Sequence, residues 1–381
     1  MKIGIITTFR QPNWGSVLQA YALQTVLDSM GFEAWLIDYR YPNEFHYSRG
    51  ITRNRSWLRN LPGDVVNRLK ISLGMVPERK MVLLNRFIND NMRLTREYVS
   101  YDDLHTAPPV FDAYVAGSDQ IWNPMTMMGD MSYFLDFAPD ESLKFSYASS
   151  FSGVIIPKEY KTDYQKNLLR LTRVSVREDN GVVAVRELIG REAVVVADPT
   201  LLLDRNHWLS LANKARKVQL PEKFILCYML GYTYRPDEAM CRVLNQLQAQ
   251  YNLPVVALNA LPATFKGDVF HLPKNYARGV EEFLFLINRA TIIVSSSFHG
   301  TAFAVNHGKP FIAVTDENKD NDDRIRSLLN RLALEGKIFQ NENCSNINPF
   351  YDFVKTNIKL DFFRTESIQF LYQSLAPLIT A

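Results

Sequence analysis

Cysteine is scarce in this sequence, which has three in 381 residues. Cys227, Cys241 and Cys344 lie far apart and form no C-x-x-C or C-x-x-H pattern. That spacing indicates neither a disulfide framework nor a zinc site, and we expect reduced, structural thiols. No other group of candidate ligands has the spacing of a metal centre, so we assign no residue to a metal.

The sequence also lacks long apolar runs. The longest ones it has fall far short of the ~20 residues that a membrane helix needs. The apolar stretch at the N-terminus ends at Thr7, Thr8 and Arg10, which is too short for a secretion signal. We therefore expect a cytoplasmic protein that is peripheral to the inner face of a membrane at most. The formal net charge is only +3, which argues against a nucleic-acid partner held by many phosphate contacts.

What the sequence does contain is an alternation of short β-rich apolar runs with longer helical patterns. This alternation is typical of parallel sheets covered by helices on both faces. The first part predicts a helix over residues 16–30 that ends at Gly31. Its predicted strands are residues 2–7, 34–38, 113–116, 144–148, 173–176 and 194–196. After Asp198-Pro199-Thr200 the pattern restarts, with strands over 224–229, 254–258, 291–295 and 310–314 and helices over 237–251, 280–289, 301–306 and 322–332.

A chain of 381 residues, 47% of them hydrophobic, is larger than one ordinary core holds. We predict two Rossmann-like α/β domains, residues 1–199 and 200–355, that face each other across a cleft. A last amphipathic stretch at residues 362–375 predicts a C-terminal helix, within residues 356–381, that packs back on the first domain.

Residues 49–96 depart from this regularity. They contain eleven Lys or Arg and three acidic residues, interleaved with Trp57 and leucines. The composition predicts a helical insertion with a basic face, suited to an anionic lipid headgroup, a diphosphate or an acidic glycan. A solvated helical surface accounts for the same composition equally well.

Ligands of open α/β sheets bind where strands end and helix N-termini present free N–H groups. The clearest such place is residues 291–301, where an apolar strand runs into serines, His299 and then a helix. The imidazole is expected beside the positive end of a helix dipole, a position that suits a bound anion. A core histidine under a serine-rich turn is the alternative. The neighbours assigned to this site are Ser296, Ser297, Phe298, Gly300 and Thr301.

The end of the first predicted strand is a second candidate segment. Asn13, Trp14 and Gly15 predict a turn, Ser16 is expected to cap the next helix, and Gln19 is assigned to the same lining. An indole there can stack on a sugar ring while backbone amides bind an anion. A capped turn with a packed tryptophan is the alternative.

A third segment follows the predicted strand at residues 113–116 and contains Ser118, Asp119, Gln120, Trp122 and Asn123. A carboxylate at a glycine-bearing strand end, with amide and indole neighbours, suits hydrogen bonds to hydroxyls and contact with a sugar face. Asp119 is thus a candidate general base or acceptor-binding group. An aspartate that caps a helix is the alternative.

Arg177 follows another predicted strand. Its planar guanidinium can bind a carboxylate or phosphate through two parallel hydrogen bonds. A surface ion pair with Glu178 or Asp179 is the alternative and would add little stability. Glu282 stands near the start of a predicted helix, a position that suits an acid on stability grounds alone.

As a set, these segments resemble the polysaccharide pyruvyl transferase family. Each motif is weak alone, but six in the family's order are specific, and they cover most of the chain except the basic segment and the tail. The matching pieces are NWGSVLQAYALQ, FDAYVAGSDQIWNP, SVRE, VVADPTLLL, GVEEFLFLINRATIIVSSSFHGTAFAVNHGKPFIAV and DDRIRSLLNRLAL.

The resemblance implies a fold like the two-domain GT-B glycosyltransferases, with the acceptor on the first domain and the donor on the second. It implies that phosphoenolpyruvate, with no further cofactor, donates its three-carbon unit to two hydroxyls of a sugar, giving a pyruvate ketal and phosphate. The implied acceptor is a precursor of a surface or capsular polysaccharide, such as a lipid-linked oligosaccharide. His299 corresponds to the family's key histidine, Arg177 to an arginine near the donor, and Asp119 to an acidic residue of the same site.

The sequence departs from the family at Ser297, where some members carry arginine. One anion clamp is therefore missing, and four cations are candidates to replace it: Arg278, Arg324, Lys274 and Arg10. Two further interpretations stay open, a glycosyltransferase that uses a nucleotide sugar and a non-catalytic protein that binds a glycan or lipid.

Overall fold

The computed structural model describes residues 1–40, 80–153, 155–231, 236–315, 323–339 and 347–379. Within these residues the chain forms two successive five-stranded sheets whose strand pairings are all parallel. The predicted α/β class is thereby confirmed. Most of the predicted basic insertion, residues 49–79, lies outside the described residues.

The first sheet has the strand order β3-β2-β1-β4-β5. Helices cover both of its faces, so β1 exposes only Lys2 and the first residue of β2 is half-buried. The strands are β1 (Lys2–Ile6), β2 (Glu33–Tyr39), β3 (Leu94–Tyr98), β4 (Ala113–Ala116) and β5 (Leu143–Ser146). The helices of this half are α1 (Trp14–Ser29), α2 (Lys80–Asn91), α3 (Tyr101–Thr106), α4 (Pro124–Met127), α5 (Lys158–Leu169) and α6 (Asp179–Ile189).

A two-stranded sheet, β6 (Ser175–Val176) and β7 (Val194–Val195), extends the first sheet beyond β5. Single bridges join Phe145 to Arg173 and Ser149 to Val176. The end of β6 therefore lies beside the segment that follows β4, because Ser149 also bridges to Asp119.

The second sheet has the order β12-β11-β10-β8-β9. Its apolar strands are buried between helices, as the near-continuous apolar runs in the sequence predicted. The strands are β8 (Ile225–Tyr228), β9 (Val255–Ala257), β10 (Ile292–Ser295), β11 (Phe311–Val314) and β12 (Ile338–Phe339). The helices of this half are α7 (Pro199–Leu202), α8 (Arg205–Ala212), α9 (Asp237–Tyr251), α10 (Val280–Arg289), α11 (Phe298–Asn306) and α12 (Asp323–Arg331).

The last helix, α13 (Phe353–Ile379), returns to the first half, as the sequence predicted. The backbone N–H of Ala197 donates to Ser367 Oγ at 2.8 Å, and Arg173 donates to Gln373 Oε1 at 2.8 Å. The helix is longer than the amphipathic stretch predicted for it. None of the described helices is both long enough and apolar enough to cross a membrane.

Strand order places the ends of particular strands at the centre of each half. In the first sheet β1 lies between β2 and β4, and in the second β10 lies between β8 and β11. Crossovers leave in opposite directions at such points, which opens a crevice at the carboxyl ends of the strands. The segments after β1, β4 and β10 carry the candidate residues, so the topology brings them to these crevices.

The structure differs from the sequence-based expectation in residues 80–96, which were assigned to the basic insertion. There α2 buries Leu84 and Ile88 in the core, and β3 pairs with β2 as the edge strand of the sheet. Residues 80–96 were assigned to the insertion because of their many charges. An edge strand and a half-buried helix also carry many charges, on their exposed faces.

Candidate functional site

His299 is the second residue of α11 and lies at the carboxyl end of β10. Ser297 caps the helix, since its Oγ accepts a hydrogen bond from the N–H of Gly300 at 3.3 Å. His299 is 5% exposed, and its Nε2 has no hydrogen-bond partner in the described structure. A buried imidazole nitrogen without a partner is costly, which marks this site for function.

The start of α1 lies directly against this histidine. A Cβ atom added to Gly15 would overlap with the His299 imidazole at Nδ1 and Cγ, so only glycine allows this approach. Asn13 caps the helix by accepting from Gly15 N at 2.9 Å. The sequence-based assignment of the cap to Ser16 was therefore wrong. Ser16 instead donates its hydroxyl to Asp119 Oδ2 at 2.6 Å.

Asp119 follows β4 with a backbone φ of 75°, in the left-handed region that side chains other than glycine rarely adopt. Its Oδ1 accepts from Gln120 N at 2.9 Å. It caps no helix, so the alternative role considered from the sequence does not apply. A strained backbone at the end of a central strand holds this carboxylate towards the start of α1.

Arg177 follows β6 and is 3% exposed. Its Nη1 lies 2.9 Å from Asp198 Oδ2, and its Nη2 lies 3.4 Å from Asp119 Oδ1. The guanidinium carbon stands 4.4 Å from the centroid of the Phe298 ring. Arg177 thus joins the first half to the residue before His299, and the alternative of a surface pair with Glu178 or Asp179 is wrong.

Asp198 completes the cluster and was not singled out from the sequence. It is 1% exposed, accepts from Ser118 Oγ at 3.0 Å, and caps α7 by accepting from Thr200. Its Oδ2 lies 3.7 Å from His299 Nε2. The signal that could have found it is the motif VVADPT, in which an aspartate ends a strand before a proline-started helix.

The charges of this cluster stabilise one another. Burial by itself raises the pKa of Asp198, but His299 and Arg177 outweigh it and hold that pKa well below its ordinary range. Burial also acts to raise the pKa of Asp119, yet Arg177, His299 and the Ser16 hydrogen bond bring it below its ordinary value. Both carboxylates are therefore ionised at neutral pH, beside a guanidinium and an imidazole.

Glu178 and Arg324 lie at the border of the cluster. Glu178 is fully buried, and its Oε1 accepts from Ser150 Oγ and from the N–H groups of Phe151 and Ser152. Burial raises the pKa of Glu178 despite these bonds. The charge of Arg324, at the start of α12, lowers the pKa values of both Asp119 and Glu178. The second half therefore contributes a cation to the carboxylates of the first.

Several residues assigned to ligand contact already have partners among the described residues. Trp122 is fully buried and stacks on Phe134, with ring centroids 5.0 Å apart. Trp14 stacks on Phe283 at 5.4 Å, so it offers no free face to a sugar. Other residues are occupied by local hydrogen bonds or packing. They are Gln19, Gln120, Asn123, Ser296, Gly300 and Thr301.

The alternative cations are positioned differently from one another. Arg10 forms a double hydrogen bond with Asp38, and Arg278 Nη1 donates to Leu258 O at 2.8 Å. Lys274 is exposed on a loop. Among the described residues, no group of three or more His, Cys, Asp or Glu side chains could hold a metal ion.

Solved structures resemble the chain over nearly its whole length at low identity. A putative UDP-N-acetylglucosamine 2-epimerase from Listeria monocytogenes is 10% identical, covers 95% of this chain and 96% of its own, and has a TM-score of 0.45. A UDP-GlcNAc 2-epimerase from Neisseria meningitidis is 10% identical over 95% of this chain and 99% of its own, with a TM-score of 0.41. A spinosyn forosaminyltransferase is 14% identical over 100% and 98%, with a TM-score of 0.42.

No curated relative matches the chain at a significant level of sequence similarity. The sequence model of one family does match, that of the polysaccharide pyruvyl transferases, over residues 13–318. The match begins at Asn13, which caps α1, and includes Asp119, Arg177, Asp198 and His299. With well over half of its length matched, the chain belongs to the polysaccharide pyruvyl transferase family.

Proposed function

We propose that this protein transfers the three-carbon unit of phosphoenolpyruvate to two hydroxyls of a sugar in a precursor of a surface or capsular polysaccharide. The products are a cyclic pyruvate ketal and phosphate. The observation that carries the proposal is the convergence of His299, Arg177, Asp119 and Asp198, which follow strands of the two large sheets and of the small two-stranded sheet. Membership of the pyruvyl transferase family supports the reaction class.

The chemistry requires a proton for the methylene carbon of the donor, stabilisation of a cationic C2, and a base for the attacking hydroxyl. The unpartnered Nε2 of His299 is the group proposed to deliver the proton. Asp198, whose Oδ2 lies 3.7 Å from this nitrogen, is proposed to orient the imidazole. Asp119, with its pKa below the ordinary range, stays ionised and is proposed to bind or activate the acceptor hydroxyl.

The donor carries a carboxylate and a phosphate, so it needs more positive charge than Arg177 alone supplies. Arg177 is already shared between Asp119 and Asp198. Arg324 is proposed as the cation that replaces the arginine absent at Ser297, because its charge acts on Asp119 and Glu178. Arg10 is already paired with Asp38.

The direct test is to incubate the protein with phosphoenolpyruvate and a panel of glycans and glycolipids. We expect phosphate release and a new ketal methyl signal by NMR with at least one acceptor. His299→Asn should abolish turnover, whereas His271→Asn, on an exposed loop, should leave it unchanged. Unaltered phosphate release by His299→Asn would remove the histidine from the mechanism.

Donor binding can be tested without an acceptor. A ligand that binds only the native state raises the melting temperature, so phosphoenolpyruvate is expected to raise it. Arg324→Met should weaken this effect, while Arg331→Met, on the same helix and paired with Asp179, should not. A shift with uridine diphosphate and none with phosphoenolpyruvate would replace the proposal with nucleotide-sugar transfer.

The proposed acceptor is a lipid-linked intermediate at the cytoplasmic face of a membrane. The proposed reaction uses no cofactor or metal besides phosphoenolpyruvate as co-substrate. This part of the proposal extends the family's polysaccharide acceptor. The basic segment 49–79 lies outside the described residues and carries no part of it.

A further inference from the structure

Trp14 links the two halves of the molecule at the edge of the His299 cluster. It is the first residue of α1, and its indole enters the second half, where it stacks on Phe283 and meets the edge of Tyr228 at 5.7 Å. Its Nε1 donates to the carbonyl of Arg278 at 3.1 Å. The next residue, Gly15, packs on His299. Groups around this indole therefore border the catalytic cluster without belonging to it.

Lys80 covers the indole. It is the first residue of α2, and its ammonium lies 3.1 Å from the centroid of the Trp14 ring, a cation–π contact. The side chain is partly buried. Burial first, and then the charge of Arg278, lowers the pKa of Lys80 to about 7. Among the described residues no carboxylate acts on the pKa of either Lys80 or Arg278.

The backbone carbonyl of Arg278, in the second half, accepts the hydrogen bond of the same indole. Arg278 precedes α10, donates Nη1 to Leu258 O at the end of β9, and is partly buried. Burial lowers its pKa as well. In the described part of the chain neither Lys80 nor Arg278 forms an ion pair, whereas Arg177, Arg10 and Arg93 each do. Two partly desolvated like charges without a counter-charge raise the free energy of the folded state.

We propose that Lys80 and Arg278 form a second anion subsite, which binds the phosphate or diphosphate group that links the acceptor sugar to its carrier. The subsite rests on the proposed function, since it names a part of that acceptor. A diphosphate would supply the negative counter-charge for both cations. It would accept hydrogen bonds from the ammonium of Lys80 in the first half and the guanidinium of Arg278 in the second. The linking group would thereby draw the two halves together beside His299.

The two cations belong to different halves, which gives the subsite a specific consequence. An acceptor without the anionic group would lack the contact that spans α2 and the loop before α10. Such an acceptor should bind more weakly, while the donor should be unaffected. The subsite would select a carrier-linked sugar over a free oligosaccharide.

The experiment measures binding of inorganic pyrophosphate to the full chain by tryptophan fluorescence and calorimetry, without phosphoenolpyruvate. Lys80→Met combined with Arg278→Met should weaken binding by about a hundredfold, or about tenfold for each lost charge-assisted contact. Lys166→Met with Arg186→Met, two exposed cations of α5 and α6, is the matched control and should bind like the wild type. Wild-type affinity in the Lys80 and Arg278 variant would overturn the subsite.

Two further arms identify the source of the anion and separate this proposal from the general function. A short prenyl diphosphate and uridine diphosphate are titrated in the same way, and the ligand that binds more tightly than pyrophosphate names the carrier. The melting-temperature shift with phosphoenolpyruvate should persist in the Lys80 and Arg278 variant. Loss of that shift with pyrophosphate binding intact would assign the two cations to the donor and overturn the proposal. Failure of the donor to bind the wild type would instead contradict the proposed function.

Discussion

Gly15 and His299 are in direct contact, although they belong to different halves of the molecule. The glycine is the second residue of α1, the histidine is the second residue of α11, and no Cβ atom fits between them. Two helix N-termini therefore meet around one imidazole. The positive ends of both helices lie beside this imidazole, which favours an anionic ligand there.

Gly15→Ala is expected to lower turnover by about a hundredfold, because the imidazole must shift and a displacement of ~1 Å has an effect of that order. The folded state should also lose about 1–3 kcal/mol of stability, because the added methyl group overpacks a buried contact. Phosphate release from phosphoenolpyruvate and the melting temperature measure the two effects. Gly336→Ala, where a Cβ meets open space, is the control. Normal turnover in Gly15→Ala would mean that the imidazole position is unimportant.

Arg177→Met is expected to destabilise the protein by about 3–5 kcal/mol, because it leaves the buried carboxylates of Asp119 and Asp198 without their partner. Urea unfolding at neutral pH measures the loss. Arg186→Met removes an arginine whose pair with Glu192 is exposed, and it should cause no measurable change. Equal stability of the two variants would show that the buried pair contributes nothing.

Ser367→Ala is expected to cost about 1–3 kcal/mol of stability, because the buried N–H of Ala197 loses its acceptor. This tests the docking of α13 on the first half. Ser374→Ala is a close control: that serine is also buried on α13, but its hydroxyl donates to Phe370 O in its own helix and to no other described residue. Chemical denaturation compares the two. A cost for Ser374→Ala as large as that for Ser367→Ala would contradict the docking contact.

Lys80→Met is expected to be more stable than the wild type at pH 7, with a difference that narrows as the pH rises to 10. Burial and Arg278 lower the folded pKa of Lys80 from 10.5 to about 7. Between these values the unfolded chain binds more protons, so wild-type stability rises with pH in that window. Thermal unfolding at pH 7, 8, 9 and 10 measures the difference. A constant difference across the series would indicate an ordinary pKa for Lys80.

Local pattern predicted the regular elements well. The strand predicted at 113–116 and the helices predicted at 237–251 and 280–289 match the structure, because apolar spacing and glycine caps are local properties of the chain. The strand β3 was missed because, as an edge strand, it carries Thr95, Arg96 and Glu97 in place of an apolar run.

The candidate site was predicted in part. His299, Asp119 and Arg177 could be named because each follows a strand, and strand ends are where α/β proteins place ligands. Trp122 and Trp14 were assigned to substrate binding but are buried. The sequence does not distinguish a tryptophan beside a turn that packs in the core from one that contacts a sugar. Asp198 was not predicted as a site residue, because its partners Arg177 and His299 are distant from it in the chain.

By itself the sequence determined which segments are strands and helices, and which polar residues stand at strand ends. Only the tertiary structure decided which of those residues form ion pairs, which indole is covered, and that the charge of Arg278 acts on Lys80. The physical reason is that spacing encodes local conformation, whereas burial, ion pairing and pKa depend on atoms that the fold brings together from remote parts of the chain.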